Sequence, residues 1–345
     1  MIEKGISVII ACYNSSDRLP TTIEHIVASK FSSPEIKKEL IIIDNASSDN
    51  TYIKATELCE TLVKPEWGNN YIVRKQPLKG KNHALSLAFS LCSYSYACII
   101  DDDNWVSPDF FQNAFDIIER NPDIGALGGL GIAEFESQPP EWGKNGFSCG
   151  PQGNTSGDIT DSRGWVFGAG CIYRYEYIKL LRDAGFKECL GTIRGHKVDV
   201  SGEDVELCYA LILLGKKIWY DETLIFKHFM PAGRVNESKY LSLRRGDGVQ
   251  SFVLSLYTKA IRHSGSVPSL RLLGLSHLKD ICYSAFILMK RVVTTYHSNS
   301  LENQGCLATT KYRLLTLLNL RYCLNNFRQF QRNIRVINQI KGAIR

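Results

Sequence analysis

The sequence predicts an α/β fold built on a mostly parallel sheet, and three observations carry that prediction. Short β-branched runs recur at Ile6–Ala11, Leu40–Ile43, Tyr71–Arg74 and Tyr96–Ile100. Helical patterns separate them. The runs themselves are close to continuously apolar, as strands are when helices cover both faces of a sheet.

Each element follows in order. Strand Ile6–Ala11 runs into the turn Tyr13-Asn14-Ser15-Ser16, and a helix extends from Leu19 to about Ser29. Strand Leu40–Ile43 ends at Asp44-Asn45-Ala46-Ser47-Ser48-Asp49, followed by helix 51–63 and strand Tyr71–Arg74. Helix 82–93 leads into strand Tyr96–Ile100, and helix 107–120 follows. Residues 131–165 carry Pro139-Pro140, Gly143, Gly146, Gly150, Gly153 and Gly157, which predicts a long loop or mobile lid. A second block contains helix 203–214 and two strands, Lys217–Tyr220 and Leu224–Lys227. Beyond Tyr240 the pattern is helical and basic. In an open parallel sheet, ligands bind at the carboxyl ends of the strands. Here those ends carry Asn14, Asp44 and Asp101–Asp103.

Composition narrows the class. Hydrophobic residues make up 44% and charged residues 22%, ordinary for a globular enzyme. No run approaches the ~18 apolar residues that span a bilayer, and the first residues lack a signal-peptide apolar stretch. An intracellular protein is expected. The eleven cysteines form no Cys-x-x-Cys pair, which argues against a zinc knuckle or thioredoxin-type site and for reduced thiols. Charge is unevenly placed: from Leu241 onward there are 16 Lys+Arg against 3 Asp+Glu, whereas the preceding residues hold 25 against 32. Such a tail suits an anionic partner, either nucleic acid or an anionic membrane surface. No nucleic-acid reading module accompanies the charge, so nucleic acid is not the expected partner. Within the tail, Ser269–Val293 mixes Leu270, Leu272, Leu275, Leu278 and Phe286 with Arg271, Lys279, Lys290 and Arg291. That pattern suits a basic amphipathic helix on lipid, or helices that cover the rest of the chain or pair with another subunit.

Chemistry concentrates in four places. Asp101-Asp102-Asp103 directly follows a strand, and burying consecutive carboxylates without a cation is costly. A hard divalent ion resolves the conflict and leaves positions for phosphate oxygens. On an extended backbone Asp101 and Asp103 point the same way, which makes them the functional pair; a solvated acidic turn capping helix 107–120 is the alternative. Ser201-Gly202-Glu203-Asp204 opens a helix, where its carboxylates complement the macrodipole or serve as a general base. Lys79-Gly80-Lys81 at a helix start suits phosphate binding, although the Walker spacing is missing. His228, just after a strand, is either structural or a metal ligand.

Taken together, Ser7–Asn14, Ile43–Thr51, Ile100–Asn104, Phe167-Gly168-Ala169-Gly170-Cys171 and Gly202-Glu203-Asp204-Val205-Glu206-Leu207-Cys208 resemble the family 2 glycosyltransferases over roughly residues 5–240. These are inverting nucleotide-sugar enzymes with the A-type fold, and the nearest look is to bacterial members that assemble surface polysaccharides. The resemblance implies a catalytic domain at 1–240, with a nucleotide-sugar half at 1–130 and an acceptor half at 131–240. The basic helical extension, 241–345, lies outside the match. It further implies that Asp44 and the backbone around Ala11, Tyr13 and Asn14 hold the nucleobase, and that Lys81, Asp101 and Asp102 lie at the donor. Asp103 and Asp101, with His228 as a third ligand, would hold Mn²⁺ or Mg²⁺. Asp204 would be the base with Glu203 beside it, and a UDP-sugar the donor. The acceptor would be a saccharide or a lipid-linked saccharide, and the setting cytoplasmic or peripheral at the inner membrane face. Many members have two acidic residues where this chain has Asp44-Asn45. The Gln-x-x-Arg-Trp motif of polymerising members is absent, which points to transfer of one sugar. A non-catalytic nucleotide-binding protein and a nucleotidyltransferase are the competing readings; the latter should carry a Gly-rich loop where Ala11-Cys12-Tyr13-Asn14 stands.

Overall fold

A computed structural model describes residues 2–32, 36–143, 149–191, 198–267 and 270–343, with the side chains of 270–272 left out. Ser269, the side chains of Leu270, Arg271 and Leu272, and Gly146 of the expected loop therefore lie outside the described residues. The chain divides into two units. One comprises Met1–Glu136, Ser148–Asp183 and Gly215–Met230; the other comprises Ser137–Phe147, Ala184–Leu214 and Pro231–Arg345.

The first unit is the α/β body. Its strands are β1 (Glu3–Cys12), β2 (Lys37–Asp44), β3 (Tyr71–Lys75), β4 (Tyr94–Ile99), β5 (Asn104–Val106), β6 (Ile124–Phe135), β7 (Gly157–Asp158), β8 (Cys171–Arg174) and β9 (Lys217–Met230). They form one sheet in the order β3-β2-β1-β4-β8-β6-β9-β5, with β7 on β9. β1, β2, β3 and β4 are parallel, as the continuous apolar runs predict; β8 enters antiparallel to β4 and β6, and β5 antiparallel to β9. Helices of this unit are α1 (Leu19–Val27), α2 (Thr51–Leu58), α3 (Lys64–Trp67), α4 (Lys81–Leu91), α5 (Phe110–Arg120) and α6 (Tyr175–Asp183). Ile6, Val8, Ile9 and Ile10 on β1 are all buried, so both faces of the central strand are covered. Each such side chain contributes about 1.5–3 kcal/mol by leaving water. Buried Ser7 is compatible because its hydroxyl donates to Glu39 Oε1 at 2.6 Å.

Three local expectations are corrected. The helix expected at 51–63 ends as α2 at Leu58 and passes through a π-turn, Cys59–Val63, into α3. Pro65 has no N–H to give Thr61, and the wider turn accommodates the loss. The two strands expected around Asp221-Glu222-Thr223 are one strand, β9. Asp221 Oδ1 accepts from the Thr223 N–H at 3.0 Å and its hydroxyl at 2.6 Å, satisfying the polar insert without a reversal. The β6–β9 register shifts at this point, from Gly128 opposite Tyr220 to Leu130 opposite Ile225, so β9 carries the extra residues as a bulge. At Gly129 a Cβ would meet the Leu224 carbonyl oxygen at 2.1 Å, so only glycine allows the close approach. Finally, the described part of the 131–165 loop is pinned rather than open. β6 continues to Phe135, Gly150 N–H donates to the Gly131 carbonyl at 2.7 Å, and buried Gln152 donates to the Gly129 carbonyl at 2.6 Å.

The second unit is helical: α7 (Glu203–Leu213), α8 (Glu237–Arg262), α9 (Leu270–His297), α10 (Leu301–Leu318) and α11 (Leu320–Ala343). Asn236 and Ser300 cap α8 and α10, accepting from the backbone N–H of Lys239 and Asn303. No helix among the described residues is long and apolar enough to cross a membrane.

Candidate active site

Parallel pairing sets the site. Cys12 stands opposite Asp44 in the β1–β2 register, and Ile9 opposite Ile99 in the β1–β4 register, so these strands end along one edge. The loops after them carry the polar residues.

Asp44 is buried, and its Oδ1 accepts from the Ser47 N–H at 3.2 Å. Asn14 adopts a left-handed backbone (φ 49), which asparagine tolerates. Its Oδ1 accepts from the Ser48 N–H at 2.8 Å, and its own N–H donates to Ser47 Oγ at 3.0 Å. The β1 and β2 end loops are thereby sewn together. Ala46 is also left-handed (φ 55), a conformation costly for alanine, in the loop that follows Asp44 and Asn45. Lys79 Nζ lies 5.8 Å from the ring centre of Tyr13.

Asn45, beside Asp44, has its own task. Its Nδ2 donates to the Leu78 carbonyl at 2.6 Å, and its Oδ1 accepts from the Gly80 N–H at 2.8 Å. An acidic side chain could not donate to that carbonyl. The amide therefore clamps the loop that delivers Lys81. Replacing Asn45 with Leu removes both bonds and is expected to cost about 1–3 kcal/mol of stability. Thermal melting of the variant checks this, and an unchanged melting temperature would refute the clamp.

At the β4 end the three aspartates diverge. The backbone turns, with the Asn104 N–H donating to the Asp101 carbonyl at 3.0 Å. The extended geometry expected for Asp101 and Asp103 does not apply, because a turn breaks the strand alternation. Lys81 Nζ meets Asp101 Oδ1 at 2.6 Å. Asp102 meets Arg18 Nη2 at 3.1 Å and the Ser15 hydroxyl, which ties the turn to the start of α1. Asp103 Oδ1 lies 3.4 Å from His228 Nε2, both residues being about 4% exposed. The β5–β9 ladder makes that meeting, since Asn104 pairs with His228 and the Phe229 N–H donates to the Asp103 carbonyl at 2.8 Å. Cys149 Sγ stands 3.6 Å from His228 Nδ1. Among the described residues no three His, Cys, Asp or Glu side chains gather around one point. Beside this edge the Cys12 thiol is pushed well up, by burial first and then by the Asp102 and Asp44 carboxylates, with Arg18 opposing them.

Glu203 and Asp204 belong to the helical unit. They open α7 behind Gly202, whose left-handed backbone (φ 109) favours glycine. Glu203 is buried; Asp204 is half-buried, and its Oδ1 accepts from the Val205 N–H at 2.9 Å.

Comparison with known proteins decides the family. The model of the family described as "Glycosyl transferase family 2" matches residues 7–179, half of the chain. The chain belongs to glycosyl transferase family 2. Among its relatives is the poly-beta-1,6-N-acetyl-D-glucosamine synthase of Staphylococcus aureus (strain MSSA476), 34% identical over 127 residues. The Staphylococcus epidermidis synthase of the same name is 30% identical over an equal length. Either match spans 36% of this family 2 chain and 28% of the relative, so only a minor part of each synthase is shared. The fold is that of S. aureus TarS 1–349, solved in complex with UDP-GlcNAc (TM-score 0.54, 14% identity, 99% of this chain and 91% of that one). It is also that of the mannosyltransferase PcManGT from Pyrobaculum calidifontis, solved with GDP-Man and Mn²⁺ (TM-score 0.53, 18% identity, 98% and 87%).

Sequence reasoning gave no role to Arg18, Asn45 or Glu206 in this family 2 chain. Glu206, in the first turn of α7, is fully buried. Its carboxylate accepts from the Cys189 N–H at 2.9 Å, the Leu190 N–H at 3.0 Å and the Tyr257 hydroxyl at 2.7 Å. Asn333 Nδ2 donates to the same hydroxyl at 2.9 Å. α7 is thus joined to α8 and α11. Burial pushes the Glu206 carboxyl from 4.5 up to about 7 against the pull of those donors. A carboxyl raised in the folded state stabilises fully below its unfolded value, and the contribution is lost as pH climbs towards 7, about 3 kcal/mol in all. The melting temperature of Glu206→Gln, relative to the parent, should therefore rise between about pH 5 and about pH 8. A gap independent of pH would contradict the assignment.

Proposed function

We propose that this chain is an inverting glycosyltransferase that moves a sugar from a nucleoside-diphosphate sugar, a UDP-sugar in the first instance, to a saccharide or lipid-linked saccharide in bacterial surface-polysaccharide synthesis. The observation that carries the reading is the strand-end turn, where Lys81 holds Asp101 and His228 faces Asp103. Residues 1–240 act as the catalytic part, with the donor held by 1–130 and the acceptor by 131–240. The synthase relatives support a polysaccharide product, and the neighbours solved with UDP-GlcNAc and with GDP-Man and Mn²⁺ support a nucleotide-sugar donor with a metal.

The donor set fits a divalent ion. A buried carboxylate and a buried imidazole 3.4 Å apart offer oxygen and nitrogen ligands suited to Mn²⁺ or Mg²⁺. Asp103 and His228 would hold it, with Asp101 the further candidate. Bound there, the ion would neutralise charge on the diphosphate leaving group.

The chain's own groups do the rest. Asp44 and the backbone around Ala11, Tyr13 and Asn14 receive the nucleobase. Lys81 shares its ammonium between Asp101 and a diphosphate oxygen. Asp102 holds the turn in place through Arg18. Asp204 takes the proton of the acceptor hydroxyl as the new bond to the anomeric carbon forms, while the bond from that carbon to the phosphate oxygen breaks and configuration inverts. Glu203 flanks it.

Buried thiols at Cys12, Cys59 and Cys98 support a reducing, cytoplasmic setting. The basic extension 241–345 supports attachment at the anionic inner face of a membrane. The test is a screen of nucleotide sugars by calorimetry with and without Mn²⁺, followed by product analysis with the tightest binder. Metal-dependent binding of one donor and an inverted linkage in the product are expected; a retained configuration would overturn the mechanism.

A further inference from the structure

We propose that the outward face of α9 docks the protein on an anionic lipid surface. The proposal rests on the reading of the basic extension above and narrows it to one helix face.

Leu275, Leu278, Phe286, Met289, Val293 and Tyr296 are all exposed, Phe286 at 60%, Met289 at 64% and Tyr296 at 88%. At 3.6 residues per turn, successive spacings of three, four and eight place them along one face, a stripe about 30 Å long. The opposite face packs within the helical unit. There Ser284 is buried, His277 Nε2 lies 2.8 Å from the Leu317 carbonyl oxygen, and Asp280 meets Lys259 Nζ at 3.2 Å. Contiguous apolar exposure on this scale marks an interaction surface.

Charge selects the occupant. Lys279 and Lys290 are exposed at the margin of the stripe. Asp280 is the sole acidic residue in the sequence of α9, and it turns inward to Lys259. Pairing with a second copy would set these lysines beside their own kind with no carboxylate from the same helix to meet them. An anionic bilayer satisfies both features: apolar side chains enter the headgroup boundary, and the lysines meet lipid phosphates. Since no described helix can cross a bilayer, α9 would lie in the plane of the surface.

Sedimentation of the full chain with phosphatidylcholine vesicles, with and without phosphatidylglycerol, tests the proposal. The parent should pellet only with the anionic vesicles, and less as salt rises. Lys279→Glu with Lys290→Glu should bind at least about thirtyfold more weakly, the loss expected from removing two lysines alone. Phe286→Ser with Met289→Ser should lose at least about a hundredfold, with the melting temperature unchanged because both side chains face water. A parent indifferent to phosphatidylglycerol, or variants that pellet like the parent, would overturn it. So would a parent dimer that ignores vesicles and that Phe286→Ser with Met289→Ser splits into monomers. The assay reads no sugar transfer, so its failure and a failure of the active-site reading are separable.

Discussion

Replacing Asp204 with Asn is expected to lower kcat about a thousandfold while leaving donor affinity within about twofold, because the amide keeps shape and hydrogen bonding but cannot accept the acceptor's proton. Asp204 stands at the first turn of α7, in the helical unit, whereas the strand-end turn with Asp101–Asp103 belongs to the α/β unit. A loss confined to kcat is the signature of a group used only as the bond forms. Calorimetry with the donor and steady-state kinetics on the same preparation separate the two effects. Full activity in the variant would remove Asp204 from the mechanism, and a parallel loss of donor affinity would make its role structural. Glu206 on the same helix serves as a contrast. Its carboxylate is used up by two backbone N–H groups and the Tyr257 hydroxyl, so its replacement should move melting behaviour before chemistry.

The second large effect is at Asp103. Replacement by Ala should weaken metal-dependent donor binding roughly a hundredfold, since it removes one of the two proposed ligands, the carboxylate that faces His228. Asp103→Asn retains the volume and the bond to the Asn104 amide, and guards against misfolding as the cause. His228→Gln should act in the same direction. If all three variants bound the donor and Mn²⁺ as the parent does, the ion would have to sit elsewhere.

Much of this site was legible in the chain, for a physical reason. Buried parallel strands need continuous apolar runs, so Ile6–Ala11, Leu40–Ile43 and Tyr96–Ile100 announce both the strands and the edge where they stop. The polar residues that follow, Asn14, Asp44 and Asp101–Asp103, fall along that edge in the structure. What the pattern could not carry is pairing between distant atoms. Asn45 earns its place through backbone groups of Leu78 and Gly80, more than thirty residues away. His228 reaches Asp103 through the β5–β9 ladder, which joins segments far apart in the chain. Asp101 and Asp103 were expected to share a face because strands alternate; a local turn, closed by the Asn104 N–H, replaces the alternation. Glu206 reads as an ordinary helix-start charge because Tyr257 and Asn333, which bury it, arrive from helices late in the sequence.

Titration of the full chain with UDP, in the presence and absence of Mn²⁺, tests the central claim most directly. Saturable binding that requires Mn²⁺, and that Asp103→Asn abolishes, is the predicted result. UDP binding of equal strength without any divalent ion, or unaffected by Asp103→Asn, would contradict it.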